Sequence, residues 1–273
     1  MSAIAKAFEN VAAIGSRGVI PYITAGFPDL ATTEEIIVSL GAAGATAIEV
    51  GVPFSDPMAD GPVIQRACEH ALAQNVSLPA ILKTIAAAKQ RTDVPIVLFS
   101  YLNPLLQYGL SRLTREGAST GLAGVLVTDL PADVGSRFAS ELRAHGLDFI
   151  TLVTPTSTDN RLREILSAAS GFLYAVSRTG VTGTQNQISA DACDLVARVR
   201  RISDLPVALG FGISNVSHAR EAWNYCDAVV IGSALVRLVG ESPRGQEAAA
   251  AKNFIQQFTS VQVANAAREK STC

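Results

Sequence analysis

The 273-residue chain is short of most groups that announce a metal or a disulfide scaffold. It has four cysteines (Cys68, Cys193, Cys226, Cys273) and three histidines (His70, His145, His218), all far apart. No CxxC pair or zinc-like spacing exists, so a metal site is not expected, and free thiols point to a reducing compartment. Long apolar runs are absent too; none reaches the roughly 18 residues of a membrane span. The opening residues lack the basic start and apolar core of a secretory signal, and a cytoplasmic protein is the expectation. No Lys/Arg block occurs and the net charge is −2, which argues against nucleic acid or an anionic membrane as partner.

What is present is a globular composition, 48% hydrophobic and 17% charged, arranged as alternating short and long segments. Short runs at Val19–Thr24, Thr46–Gly51, Pro95–Ser100, Gly124–Thr128, Phe149–Val153, Phe172–Ser177, Pro206–Gly210 and Ala228–Ile231 are continuous in aliphatic residues. That is how parallel strands covered on both faces read. Amphipathic segments lie between them: Thr33–Ala43 ending at Gly44, Ser77–Gln90, Asp133–His145 before Gly146, Asp159–Ala169, Ala190–Ile202 and Val216–Trp223. A terminal helix is expected near Ala248–Ala264, and Ile4, Phe8 and Val11 predict an extra helix before the first strand. The pattern predicts an α/β fold, a (β/α)8 TIM barrel in one domain over residues 1–273, with residues from about 268 frayed. An open doubly wound sheet is the alternative.

Two acids stand out. Glu49 lies inside an apolar strand, where an ionised carboxylate is costly unless paired or used. Asp60 follows eleven residues later at the end of a Pro-rich loop. Active-site groups of barrels gather at the carboxyl ends of strands and in the loops beyond, so both acids should face one mouth. The residues alone leave another reading open: Glu49 as an internally bonded structural charge, and Asp60 as the N-cap of a helix beginning at Pro62.

Glycines recur at three later strand ends, in Gly180-Val-Thr-Gly183, Gly210-Phe-Gly212 and Gly232-Ser233-Ala234. Close backbone approach and the N–H groups of a helix start suit a phosphate, though tight turns would also explain them. Tyr22, Tyr101, Leu126, Ile150, Tyr174 and Phe211 fall near strand ends and could line a planar apolar pocket or simply fill the barrel.

These segments together resemble the tryptophan synthase alpha chain family. The resemblance rests on Glu49-Val-Gly-Val-Pro-Phe-Ser-Asp-Pro-Met-Ala-Asp-Gly-Pro, Tyr101-Leu-Asn-Pro, Asp129-Leu-Pro, Ser177-Arg-Thr-Gly-Val-Thr-Gly, Gly210-Phe-Gly-Ile-Ser and Gly232-Ser-Ala. It implies a lyase that splits indole-3-glycerol phosphate into indole and glyceraldehyde 3-phosphate. It also implies a beta chain partner in an α2β2 complex, carrying the pyridoxal phosphate that this chain would not need. By matching positions, Glu49 and Asp60 would be catalytic. Tyr22, Tyr101, Tyr174, Thr182 and Phe211 would bind substrate, and Gly183, Gly212, Gly232 and Ser233 the phosphate. Pro53, Asp56, Asn103 and Pro131 would face the partner. Tyr22 stands where the family often has Phe. A stand-alone indole-releasing lyase, a different phosphate-binding barrel and a non-enzymatic activator of the beta chain remain as rivals.

Overall fold

The computed structural model describes residues 1–130, 132–176, 190–210 and 212–270. Eight parallel strands close into a barrel in sequence order: β1 Gly18–Thr24, β2 Ile48–Gly51, β3 Ile96–Ser100, β4 Gly124–Val127, β5 Asp148–Val153, β6 Leu173–Val176, β7 Val207–Gly210 and β8 Ala228–Ile231. Closure is made by β1 against β8, with Gly18 opposite Ala228. The expected strands agree with these to within two residues at each end, and the open-sheet alternative falls.

The helices wrap this barrel. In chain order they are α1 Ala3–Ala13, α2 Leu30–Ala42, α3 Pro62–Ala73, α4 Leu78–Lys89, α5 Leu102–Tyr108, α6 Leu110–Ser119, α7 Ala132–Ala144, α8 Asp159–Ala168, α9 Ala190–Arg200, α10 Val216–Ala222, α11 Ser233–Glu241 and α12 Glu247–Lys270. Outward-facing strand residues such as Val19, Ile48, Ile96 and Val125 pack with helix residues such as Ile37, Ile85 and Phe258 in one buried layer. A second apolar cluster fills the barrel interior with Ile20, Val97, Leu126, Ile150 and Val230. Ile4 and Phe8 of α1 join that inner cluster, and the Phe8 ring lies 5.7 Å from Phe172 at the start of β6. The extra helix therefore plugs the amino-terminal end of the barrel.

Several local expectations shift for physical reasons. The first long helix begins at Leu30, because Asp29 and not the later threonines is its cap; its carboxylate accepts the N–H of Thr32 at 2.7 Å. Gly44 and Gly146 take φ of +85° and +73°, the left-handed geometry expected of glycines after a helix end. The pair α5 and α6 was not anticipated. Pro104 is the third residue of α5, where its missing N–H would have had no helical partner. Residues 271–273 of the expected frayed tail lie outside the described residues, and α12 continues to Lys270. Among the described residues no helix is long and apolar enough to cross a membrane.

Candidate functional site

Strand register places Tyr22, Glu49 and Val97 side by side on β1, β2 and β3. Successive strand residues alternate faces, so Glu49 belongs to the inward set with its neighbours Tyr22 and Val97, both members of the inner cluster. It is fully buried, and neither carboxylate oxygen has a hydrogen-bond partner. Burial without a partner disfavours the anion and lifts its pKa from 4.5 to about 8. The reading of Glu49 as an internally bonded structural charge is therefore set aside, since no bond is there.

Asp60 ends the loop between β2 and α3. It does not cap α3: the cap position is Gly61, which supplies no side-chain bond. Its carboxyl instead turns to Tyr101, whose hydroxyl donates to Oδ2 at 3.2 Å while accepting the N–H of Ala59 at 2.9 Å. Tyr101 is itself held where α5 starts, because Asp129 accepts the N–H of Leu102 at 2.6 Å from the loop after β4. Burial raises Asp60 from 3.8 to about 6, an increase the Tyr101 bond partly offsets. At neutral pH the two acids thus differ: Glu49 is mainly protonated and Asp60 mainly ionised. Their environments push the pKa values apart, as a site needing both an acid and an anion requires.

Beside Glu49 runs a row of aromatic rings. Tyr22 meets Phe99 edge-on at 5.2 Å, and Phe99 meets Tyr174 at 6.4 Å. Both acids act electrostatically on both Tyr22 and Tyr174, whose hydroxyls burial holds well above their usual pKa of 10. Glu49, Tyr22 and Tyr174 are thus a buried group within electrostatic reach of Asp60, and the open cavity at this mouth is lined by Tyr101, Ala59, Phe54 and Asp129. Phe99 belongs to this row and was missed in the sequence; the signal available was its place on the same strand face as Val97 and Tyr101.

Two glycines make room for the rings. A Cβ on Gly51 would fall 2.1 Å from the Tyr22 oxygen, and one on Gly210 2.1 Å from the Tyr174 oxygen. Gly210 thus serves ring packing, whereas the sequence grouped it with the anion-approach glycines. Gly212 differs: it is exposed, has φ of +88°, and opens onto empty space. Its carbonyl accepts from His218 Nδ1 at 3.0 Å, which ties down the loop after β7. Gly232 is the cap residue of α11 and offers no side chain to its first turn, and Ser233 beside it is exposed. Thr182 and Gly183, together with Phe211, lie outside the described residues.

Of the residues expected to face a partner, Asp56 and Asn103 are exposed near the same mouth, and Pro53 is buried within the chain. Pro131 lies outside the described residues. Met58 and Leu106, 89% and 60% exposed, are apolar neighbours of Asp56 and Asn103. No cluster of His, Cys, Asp and Glu able to hold a metal occurs among the described residues. A crevice between the sheet and helices α7 and α8, lined by Thr151 and Ile165 among others, contains none of these site residues.

Comparison with known proteins adds independent evidence. A family model described as tryptophan synthase alpha chain matches residues 8–267. A tryptophan synthase alpha chain of Cupriavidus taiwanensis is 46% identical over 262 residues, covering 94% of this chain and 98% of that protein. One from a Roseiflexus species is 42% identical, with the same coverage of both chains. Among solved structures, Mycobacterium tuberculosis tryptophan synthase superposes with a TM-score of 0.88 at 34% identity, covering 96% of this chain and 98% of the other. A chain of the tryptophan synthase a2b2 complex of Pyrococcus furiosus, solved to explain mutual activation, gives 0.83 at 35% identity and covers 90% and 99%.

Proposed function

The chain belongs to the tryptophan synthase alpha chain family, and from that premise we propose that it cleaves indole-3-glycerol phosphate to indole and glyceraldehyde 3-phosphate, handing the indole to a beta chain. The observation that carries this reading is a buried Glu49 without a hydrogen-bond partner, held protonated near neutrality, while Asp60 in the loop after the same strand stays ionised.

The bond to indole C3 breaks only after the ring loses its aromaticity. Protonated Glu49 delivers its proton to C3, and positive charge spreads toward the ring nitrogen. Asp60, ionised and aimed at the N–H, stabilises that charge as it develops. Glu49, now a carboxylate in an apolar site, is a strong enough base to take the proton from the glycerol hydroxyl. The carbon–carbon bond breaks, the hydroxyl carbon becomes the aldehyde, and the electron pair restores the indole ring. One proton has moved from oxygen to carbon, and Glu49 ends as it began. Its pKa of about 8 supports both halves of this cycle.

The aromatic row of Tyr22, Phe99 and Tyr174 would hold the indole plane, with Thr182 and Phe211 completing the pocket. Gly212, Gly232 and Ser233, with Gly183, would take the phosphate on backbone N–H groups and the start of α11. The pathway as proposed is proton transfer alone, so pyridoxal phosphate is assigned to the beta chain. Exposed Asp56, Asn103, Met58 and Leu106 around the mouth support a partner there, in the α2β2 form that the Pyrococcus relative takes. Free thiols at Cys68, Cys193 and Cys226 accord with a cytoplasmic setting.

The test is indole release from indole-3-glycerol phosphate with beta chain present. Glu49→Gln should bind substrate but turn over at least 10²–10⁴ times more slowly, at the scale of a lost proton transfer. Substantial residual turnover would remove Glu49 from the reaction. Full wild-type activity without beta chain would favour the stand-alone lyase.

A further inference from the structure

The residues assigned to the phosphate, Gly183, Gly212, Gly232 and Ser233, carry no charge. An anion held by them depends on backbone N–H groups that already point at it. Such bonds weaken steeply as their angle opens. Glycine is the residue least able to keep a direction by itself, because its backbone has the most freedom to lose. Gly212 is the clearest case. It is exposed, takes φ of +88°, and has nothing within 4 Å of where a Cβ would stand. Whatever fixes its peptide must come from elsewhere in the chain.

His218, in the first turn of α10, reaches back to it. Its Nδ1 lies 3.0 Å from the Gly212 carbonyl oxygen. A carbonyl only accepts, so Nδ1 carries the proton. The Ser214 hydroxyl oxygen, 3.3 Å from the same nitrogen, is a second and longer acceptor. Asn215 fixes the far side of the ring. Its Oδ1 accepts the backbone N–H of His218 at 3.0 Å, as the cap of α10, which leaves Nδ2 to face Nε2 at 3.3 Å. An amide nitrogen only donates, so Nε2 is the bare, accepting nitrogen. One tautomer of the ring satisfies every one of these contacts. Ile213, between Gly212 and Ser214, is buried in the outer apolar layer. The loop after β7 is thus pinned from below by Ile213 and from the side by the imidazole.

We propose that His218 is a positioning residue for the phosphate of the substrate: its Nδ1–H bond to the Gly212 carbonyl holds the loop after β7 in the shape that presents backbone N–H groups to the anion. Affinity for the phosphate end then depends on this imidazole, although it takes no part in the chemistry. The inference rests on the assignment of Gly212 to the phosphate made above. It adds a side chain to a site otherwise read as backbone alone.

The experiment measures, by calorimetry on the full chain, the binding of glycerol 3-phosphate and of indole separately, and then steady-state cleavage of indole-3-glycerol phosphate with beta chain present. His218→Ala should weaken glycerol 3-phosphate binding about tenfold, the scale of one lost hydrogen bond, and leave indole within about twofold. KM should rise by a similar factor while kcat keeps most of its value, since the bond acts on binding and not on proton transfer. His218→Asn puts an amide N–H close to where Nδ1–H stood and should restore most of the lost affinity. Unchanged glycerol 3-phosphate affinity in His218→Ala overturns the proposal, and so does an equal loss for both ligands. His218→Asn as weak as His218→Ala, with His218→Lys binding normally, also overturns it, because charge and not the bond would then be the cause. Should His218→Ala fail to fold, His218→Phe keeps the bulk of the ring without Nδ1 and carries the same expectations. Gly212→Asp separates the two readings. If it binds glycerol 3-phosphate as wild type does, the phosphate assignment of Gly212 fails and this inference with it. If it loses affinity while His218→Ala does not, the role of His218 alone is refuted.

Discussion

Replacing Glu49 with glutamine should make the barrel progressively harder to unfold, relative to wild type, as pH rises. In the folded chain Glu49 keeps its proton to about pH 8, whereas in the unfolded chain it releases it near 4.5. Between those limits the native state binds more protons, so rising pH favours unfolding. The stability tied to this proton is fully present below 4.5 and is lost by degrees up to about 8. At about 1.4 kcal/mol per pH unit, the change from pH 5 to pH 7 is roughly 3 kcal/mol. Glutamine carries no such proton, and the cost of burying its amide is the same at every pH, so it cancels when the two pH values are compared. Urea melts of both proteins at pH 5, 6 and 7 read the effect. With a slope of roughly 3 kcal/mol per molar urea, the midpoints should diverge by about 1 M over that range. Parallel midpoints would refute the reasoning, because they would mean that Glu49 is not held protonated by burial. A divergence accompanied by lost turnover would identify a site whose chemistry costs the fold stability.

Three further outcomes are expected. The rate kcat/KM should follow a bell between about pH 6 and 8, its acid limb set by protonation of Asp60 and its alkaline limb by ionisation of Glu49; a profile flat from pH 5 to 9 would contradict both assignments. Gly212→Asp should weaken substrate binding at least tenfold, through a side chain forced into φ of +88° and a like charge beside the phosphate, and should cost about 1–2 kcal/mol in a urea melt. Asp56→Ala, at an exposed position, should reduce activation by beta chain while leaving the affinity for inorganic phosphate within about twofold; the measurement is indole release against beta-chain concentration, and unchanged activation counts against a partner surface there.

The barrel was legible because its strands are covered on both faces, so β7 and β8 read as aliphatic runs with no polar alternation. Glu49 stood out for the same reason: a carboxyl in such a run has few harmless explanations. Asp60 was legible only as a candidate, since its sequence neighbourhood also suits a helix cap; Gly61 occupying that place settles the point. What could not be read were relations between distant segments. The Tyr101 bridge to Ala59 and Asp60 joins residues more than 40 positions apart, and Asp129 supports it from a third loop. The duty of Gly210 likewise depends on a ring from the neighbouring strand.

The plug formed by Ile4 and Phe8 has a consequence for traffic. With the base stoppered, the described residues leave the opposite, carboxyl-terminal end of the barrel as the way in and out for a reactant. Whatever docks on the loops around Asp56 and Asn103 would therefore stand beside that open end, in the path of what departs.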